Sequence, residues 1–520
     1  MDNSLFKKFD YYWIFVILTF ILCYGFFLTN HSMGIDDELL AVYGSFDRVI
    51  QVNKIGILFF SKILFLYEYL PFFNEILGLS LYVIGLTIYS ENFIKYLNFE
   101  NFVFDKKIST IFTCNALSFP YLAFHFVFFD NILQHGFIMI FTAFAVRYFY
   151  KFFLQEKTKL NFILMFISLF FATSFYESAV YYFVISCLII EFFKFVYDRN
   201  ENFYKRVLAM GLFSITSITL NVLLCEVLKK IMNINYSKID DFVFYDASSL
   251  SSFFESFVNS QGAFIQKFIA TCEYNFGSVI AIISIVSLLL FSLLYSFRHK
   301  NFNIMICSIF ITLVPFASLL MLGNADMSFR SYAPLSFLVA LVFCLLFNQF
   351  KDKKVLANIV IGLTILVVAY NAQEQNQIYY TENLKYENDK QFAYSIMYDL
   401  TKRDLENKPI IWVGVRENPK LKYEYIESNE INTSIFNWDR YDTFESEIYI
   451  IRSYNFFKEL GLEIKGYYDL NFSSKEEFTR FVKEVKNNVK GMTIYPKDGS
   501  IKDFGDYVVI KIGKTRADLD

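Results

Sequence analysis

Long apolar stretches dominate residues 1–371 of this chain, and ordinary mixed sequence follows them. A helix that crosses a membrane needs about 20 mostly apolar residues. Stretches of roughly this kind recur along the first part of the chain, and we predict about eleven membrane-spanning helices. Their ranges are 11–29, 73–94, 108–128, 132–152, 160–175, 176–196, 207–228, 276–297, 302–322, 333–350 and 355–371.

The composition agrees with a chain embedded in lipid. Hydrophobic residues make up 55% of the sequence and charged residues only 19%, whereas soluble domains carry about a quarter charged residues. We therefore predict an α-helical polytopic membrane protein, with a transmembrane domain over residues 1–371. Residues 372–520 are predicted to form a small α/β soluble domain.

Local patterns indicate the elements of the C-terminal domain. Residues 387–405 have a helical pattern, and Ser474 with Glu477 forms a capping box that begins a helix to about residue 487. Short apolar runs beside a KDGS turn indicate strands. The predicted strands are 409–415, 492–496 and 506–512.

Basic residues cluster between alternate predicted spans, and this predicts the orientation. Loops rich in Lys and Arg stay in the cytoplasm, so the N-terminus is expected to be cytoplasmic. With eleven spans, the C-terminal domain would then be extracytoplasmic. The clusters are Lys7/Lys8, Lys95/Lys106/Lys107, Arg147/Lys151/Lys157/Lys159, Lys194/Arg199/Lys205/Arg206, Arg298/Lys300 and Lys351/Lys353/Lys354.

The first outer loop, residues 30–72, contains three successive acids, Asp36, Asp37 and Glu38. One acid at this position could simply cap a helix, because it accepts hydrogen bonds from free N–H groups and suits the helix dipole. Three acids are more than a cap needs. Their mutual repulsion beside the low-dielectric membrane favours proton uptake by one of them, which is the property of a general base.

An apolar segment with sparse polar groups follows, at residues 53–71. Lys54, Ser61 and Glu68 recur every seven residues, so they share one face of a helix. This pattern is typical of a helix that lies in the membrane interface and could hold a lipid-borne substrate. The alternative is an amphipathic helix packed on the bundle.

Other polar residues fall in predicted outer turns. His125, Asp130 and His135 surround the turn between the third and fourth spans, at a spacing that is not typical of metal ligands. Tyr176 and Glu177 lie at the turn between the fifth and sixth spans, where an acid is costly unless it is used or hydrated.

The short late outer loop contains Arg330. Arginine is the preferred phosphate partner, because its planar fork donates two hydrogen bonds; the alternative is an ion pair with Asp326. The longer loop 229–275 carries three acids and is expected to be solvated. Those acids are Asp240, Asp241 and Asp246.

These features together resemble a known family. The acidic first loop and interfacial segment are followed by PFFNEILGLSLYVIGL at 71–86, SFYESAVYYF at 174–183 and the late loop with Arg330. Over most of residues 1–400, this pattern resembles the bacterial Gtr family of O-antigen-modifying glucosyltransferases, within the GT-C membrane glycosyltransferase fold. Family members often carry a Gln-Gly-Arg-Trp-like stretch after the first loop, where this chain has QVNKIG at 51–56.

The resemblance implies transfer of a hexose, expected to be glucose, from a polyprenyl-phosphate donor to a hydroxyl of a lipid-linked or surface polysaccharide. Asp36 or Asp37, with Glu38 beside them, would act as the base, and Arg330 and Lys54 would bind the donor phosphate. It also implies the bacterial inner membrane, inversion at the anomeric carbon and no nucleic-acid partner. No cofactor or metal ligand is assigned, and a divalent metal remains open. Further substrate contacts are expected from Tyr176, Glu177, His125 and Asp130.

Two alternative functions stay open at this point. A flippase or transporter for lipid-linked sugars would place charges within broken spans, whereas the acids here fall in loops. A polysaccharide polymerase or ligase would depend on a large outer loop, for which residues 229–275 are available.

Overall fold

The protein is described here by a computed structural model, in which most of the chain is helical. It has two compact units, Met1–Thr29 with Ser45–Tyr379 and Asn30–Gly44 with Tyr380–Asp520. The bounds of these units differ from those of the predicted domains, which are residues 1–371, with the whole first outer loop, and residues 372–520. The described residues are 10–34, 37, 54–64, 70–99, 102–197, 202–233, 250–273, 275–316, 329–416, 433–437 and 451–515, with some side chains excepted.

The first unit is built from apolar helices and one two-stranded antiparallel hairpin, β1 (Asn98–Phe99) with β2 (Phe102–Val103). Its long apolar sequences form helices because a backbone surrounded by lipid must satisfy its own hydrogen bonds. Among the described residues, the helices are α1 (Tyr11–Thr29), α2 (Ile55–Leu64), α3 (Phe73–Tyr96), α4 (Lys106–Ser118), α5 (Ala123–Phe126), α6 (Phe129–Tyr150), α7 (Lys159–Phe175), α8 (Ala179–Tyr197), α9 (Phe203–Ile231), α10 (Leu250–Ala270), α11 (Phe276–His299), α12 (Asn303–Leu313), α13 (Leu335–Phe350) and the first part of α14 (Lys354–Lys402).

Within the described residues, eight helices are long and apolar enough to cross a membrane. The chain is therefore a membrane-embedded helical protein, as predicted. Two shorter apolar helices, Lys159–Phe175 and Asn303–Phe316, fall where further spans were predicted, and the count of eleven stays a prediction.

Two predicted segments differ from the structure. The span predicted at 108–128 is interrupted, because α4 ends at Ser118 and Phe119 is extended before Pro120. Proline disfavours helical geometry in the residue that precedes it. The loop predicted at 229–275 contains α10, and residues 234–249 lie outside the described part of the chain together with Asp240, Asp241 and Asp246.

Helices α3 and α6 cross very closely. A Cβ atom added to Gly78 would lie 2.7 Å from the backbone carbonyl carbon of Ile132, and one added to Gly136 would lie 2.5 Å from the Gly78 carbonyl oxygen. Gly85 is equally close to Met139, at 2.5 Å. Small residues let membrane helices approach to backbone contact, so these glycines set the position of the N-terminal part of α6.

The connections that carry the predicted basic clusters meet at one end of the bundle. Arg147, near the end of α6, pairs with Glu91 near the end of α3 at 2.8 Å. Asn348 of α13 donates to the Tyr197 hydroxyl at the end of α8, 2.9 Å away. We call this the basic end; the opposite end holds the connections after α4, after α7 and before α13.

A buried ion pair joins α8 to α9 within the bundle. The Arg206 guanidinium donates to both carboxylate oxygens of Glu191, at 2.8 and 2.9 Å. The Tyr150 hydroxyl donates to the same carboxylate at 2.8 Å. Both charged side chains are almost fully buried, and the two-pronged geometry satisfies them, as burial of charge requires.

The second unit contains a three-stranded sheet in the order β3 (Ile410–Val413), β5 (Val508–Lys511), β4 (Ile501–Asp503). Strands β3 and β5 are parallel, and β4 is antiparallel to β5. Helices α15 (Ile451–Glu459) and α16 (Lys475–Val489) belong to this unit, and the apolar face of α16 packs on the sheet.

Four predictions for this unit were close to the structure, and one was wrong. Strands β3 and β5 and the α16 cap were predicted, and Ser474 accepts the Glu477 N–H as expected. Residues 492–496 form no strand, and β4 pairs with β5 instead. The helix predicted at 387–405 is present to Lys402, but it is the last part of the continuous 49-residue α14 rather than a separate element.

We expect the ion pair between α8 and α9 to be a strong stability determinant. Glu191→Leu should lower the free energy of unfolding by about 3–5 kcal/mol, because it leaves the Arg206 charge buried without its partner. Glu191→Leu combined with Arg206→Leu should recover most of that loss. Thermal unfolding in detergent measures both effects. Glu91→Gln at the exposed pair is the control, with an expected change within about 1 kcal/mol; equal losses in the single and double variants would contradict the assignment.

Candidate functional site

Polar side chains converge at the end of the bundle opposite the basic end. They come from four places in the chain that are far apart in sequence but belong to the first unit. We refer to them as the site cluster, whose members are Lys54, His125, Asn131, His135, Tyr176, Glu177 and Arg330.

Local backbone features bring these residues together. The break at Pro120 ends α4 and allows the short helix α5, which carries His125. Helix α2 packs on α7 so closely that a Cβ atom on Gly56 would lie 2.6 Å from the Ser174 hydroxyl oxygen. This approach holds Lys54, just before α2, beside Tyr176, just after α7.

Two buried histidines stack at the centre of the cluster. The ring centroids of His125 and His135 lie 3.9 Å apart, and the exposed fractions of the side chains are 4% and 1%. Nδ1 of His135 lies 2.9 Å from the Asn131 carbonyl oxygen. Because a carbonyl only accepts, Nδ1 carries the proton of the neutral ring and Nε2 carries the lone pair.

His125 has the opposite tautomer. Its ring forms a hydrogen bond with the Arg330 backbone that favours the protonated ring. A bond with this effect is donated by the ring, so the acceptor is the Arg330 carbonyl oxygen. Nδ1 of His125 and Nε2 of His135 have no hydrogen-bond partner within the described part of the chain. Burial lowers the pKa of His125 well below its usual value, and His135, Arg330 and Lys54 add to that effect.

Two cations flank the histidines. The Lys54 ammonium donates to the Asn131 side-chain oxygen at 3.4 Å and lies 5.1 Å from the centroid of the Tyr176 ring. The Arg330 guanidinium lies 5.0 Å from the centroid of the Phe128 ring. Both side chains are half-buried, so their charges act in a partly desolvated setting, where electrostatic attraction is stronger than in water.

Glu177 adds a carboxyl to the cluster. Its Oε1 atom is buried and has no hydrogen-bond partner among the described residues. Burial raises the pKa of Glu177 to about 7, against a smaller opposing effect of Lys54. A carboxyl of this kind can take up or release a proton near neutral pH, which suits general acid–base chemistry.

The predicted catalytic acids belong to the second unit or are outside the described residues. Asp37 belongs to the second unit, is 1% exposed, and accepts the Gly34 N–H at 2.8 Å, the contact that an acid in a first helical turn makes with the N–H group three residues before it. It also lies within electrostatic reach of Lys385, which pairs with Glu382 at 2.7 Å. Asp36 and Glu38 are outside the described residues, so the predicted role of this acidic segment stays a prediction.

The other predicted site residues are either members of the site cluster or outside the described part of the chain. Lys54, His125, Tyr176, Glu177 and Arg330 come together in the site cluster. The side chain of Asp130 and the whole of Asp326 lie outside the description. Among the described residues, no group of three or more His, Cys, Asp or Glu side chains could hold a metal ion.

No protein-family model, no curated protein and no solved structure matches this chain.

Sequence reasoning assigned no role to two members of the cluster, His135 and Asn131. Ten residues separate His125 from His135, and they meet only because the chain turns between α5 and α6. Asn131 orients His135 through its backbone carbonyl, which a residue of any type could do. Its contact with Lys54, in contrast, requires the side-chain amide oxygen. The polar N–x–x–x–H pattern at the start of an apolar helix was the available signal.

We predict that the Glu177 carboxyl titrates near neutral pH. Infrared difference spectra of the purified protein should contain a protonated-carboxyl band that disappears as pH rises through about 7, because burial disfavours the charged form. Glu177→Gln should remove the Glu177 contribution to this band, measured as the wild-type minus variant difference, and Glu91→Gln, at an exposed carboxyl, should leave the band unchanged. A band with its midpoint near the usual glutamate value would contradict the burial argument.

Proposed function

We propose that this protein is a membrane glycosyltransferase that moves a hexose from a polyprenyl-phosphate donor to a hydroxyl of a lipid-linked or surface polysaccharide. The observation that carries the proposal is the site cluster, in which two cations, two neutral imidazoles and a protonatable carboxyl lie at one end of a membrane-embedded bundle. The Gtr-like sequence features support the same class of reaction.

The cations suit the leaving group of this reaction. When the bond between the anomeric carbon and the phosphate oxygen breaks, the electron pair stays on polyprenyl phosphate and its negative charge increases. Lys54 and Arg330 would stabilise that charge as it develops, which is how fixed cations accelerate such steps. No nucleotide is needed, because the lipid phosphate is itself the leaving group.

A base must take the proton of the attacking hydroxyl. Glu177 is a carboxyl that lies with the cations in the first unit, and its Oε1, which has no hydrogen-bond partner among the described residues, can accept that proton. The acceptor oxygen would attack the anomeric carbon directly, through an oxocarbenium-like state. A single displacement of this kind inverts the anomeric configuration.

The distribution of charge supports an orientation for the site. Positive loops stay in the cytoplasm, and the basic connections meet at the end opposite the site cluster. In this proposal the site faces the outer side of a bacterial inner membrane, where lipid-linked sugars and surface polysaccharide are found together.

Two other functions remain as outcomes of the test. A flippase for lipid-linked sugars would bind the donor without cleaving it. Within the bundle, Glu191 and Arg206 form an ion pair with each other. Because each charge already has a partner, the pair is a poor candidate for a transport site. A polymerase or ligase would transfer a whole glycan rather than one hexose.

We expect the purified protein in lipid nanodiscs to release polyprenyl phosphate from synthetic polyprenyl-phosphate glucose when a lipid-linked acceptor is present. Lys54→Met and Arg330→Met should each slow transfer by about 100-fold, the usual effect of removing one charge-stabilising donor. Lys157→Met, at an exposed lysine of the basic end, should have no effect. Donor binding without cleavage would identify a flippase instead, and undiminished transfer in both cation variants would refute the phosphate assignment.

The base can be identified from pH profiles. Transfer by the wild type should rise with pH through about 7, because a general base must be deprotonated to act. Glu177→Gln should remove this rise and slow transfer by about 100-fold or more. Asp37→Asn should keep the rise. The reverse result would establish the acidic segment Asp36–Glu38 as the source of the base, as the family resemblance of the sequence implies.

A further inference from the structure

The stacked histidines present two buried acceptors that nothing in the described chain satisfies. Nδ1 of His125 and Nε2 of His135 each carry a lone pair, and both side chains are more than nine-tenths buried. A buried acceptor without a donor is destabilising, and here two such acceptors belong to rings whose centroids are 3.9 Å apart. A ligand that brings hydrogen-bond donors would satisfy both atoms.

The surrounding charges select among possible ligands. Two neutral imidazoles could bind a metal cation, but Lys54 and Arg330 act on these rings with positive charge, which repels a cation. An anion would meet the two imidazole lone pairs, which also repel it. A neutral group with O–H donors satisfies the lone pairs and avoids both penalties.

Each cation is linked to one of the histidines through a single residue. The side-chain oxygen of Asn131 accepts a hydrogen bond from the Lys54 ammonium. The backbone carbonyl of the same residue orients the His135 ring. Arg330 carries the second cation and binds His125 through its own backbone. A ligand phosphate held by Lys54 and Arg330 would therefore place a directly attached group next to the two imidazole acceptors.

We propose that His125 and His135 form a hydroxyl-recognition subsite that accepts hydrogen bonds from the sugar of a phosphate-linked sugar lipid. The inference rests on the proposed function for the identity of the lipid, but binding alone is enough to test it. In this assignment the cations recognise the phosphate, and the imidazoles distinguish the sugar by its hydroxyl pattern.

The first test uses the wild-type protein, so it does not depend on whether a variant folds. Histidine labelled with ¹⁵N would be followed by NMR in nanodiscs, with polyprenyl-phosphate glucose, polyprenyl phosphate and Zn²⁺ added separately. We expect the unprotonated nitrogens of His125 and His135 to shift only with the sugar lipid, with His31 and His299 as internal references. Equal shifts with bare polyprenyl phosphate, a shift with Zn²⁺, or no shift with the sugar lipid would each overturn the subsite.

The second test measures discrimination. Wild-type kcat/KM should be at least tenfold lower for a monodeoxy donor that lacks one of the recognised hydroxyls, because a site built to bind a hydroxyl is left with an unpaired acceptor. His125→Phe or His135→Phe should bring that ratio close to one, whereas Lys54→Met should slow both donors and keep the ratio. An unchanged ratio in both histidine variants would overturn the subsite. Sugar-dependent NMR shifts without any transfer would refute the proposed function but not the subsite.

Discussion

The close crossing of α3 and α6 is the constraint on which the candidate site depends. Gly78 and Gly136 allow the two backbones to touch, and this contact fixes the first turns of α6, where Asn131 and His135 lie. His135 can then stack on His125, which the break after α4 brings back toward the bundle. A larger residue at either glycine would move α6 and separate the two rings.

The buried Glu191 carboxylate and the buried acceptors of the site cluster are satisfied to different extents. Toward the basic end, the Glu191 carboxylate is fully satisfied by Arg206 and Tyr150, so it stabilises the packing and has no acceptor to offer. At the other end, buried acceptors of His125, His135 and Glu177 have no partner in the described chain. Buried polar atoms are normally satisfied, and the acceptors of the site cluster are distinguished by their proximity to two cations, which supports the proposal that a ligand binds there.

The sequence predicts what depends on local pattern. Apolar length predicted the helices, and Lys54, Tyr176, Glu177 and Arg330 were recognised because polar residues are unusual at apolar boundaries. The continuity of α14 was not predicted, because its sequence turns polar after residue 371 while remaining compatible with a helix. The proximity of His125 to His135 depends on a helix crossing set by Gly78 and Gly136, and a single sequence does not show which helices cross.

The central claim is that one polar cluster binds a phosphate-linked sugar lipid at the end of the bundle opposite its basic connections. Electron cryomicroscopy of the protein in nanodiscs containing synthetic polyprenyl-phosphate glucose tests it most directly. The account predicts phosphate density between Lys54 and Arg330, with the sugar ring against His125 and His135. Lipid density at another place on the bundle, with this cluster occupied only by water, would contradict it.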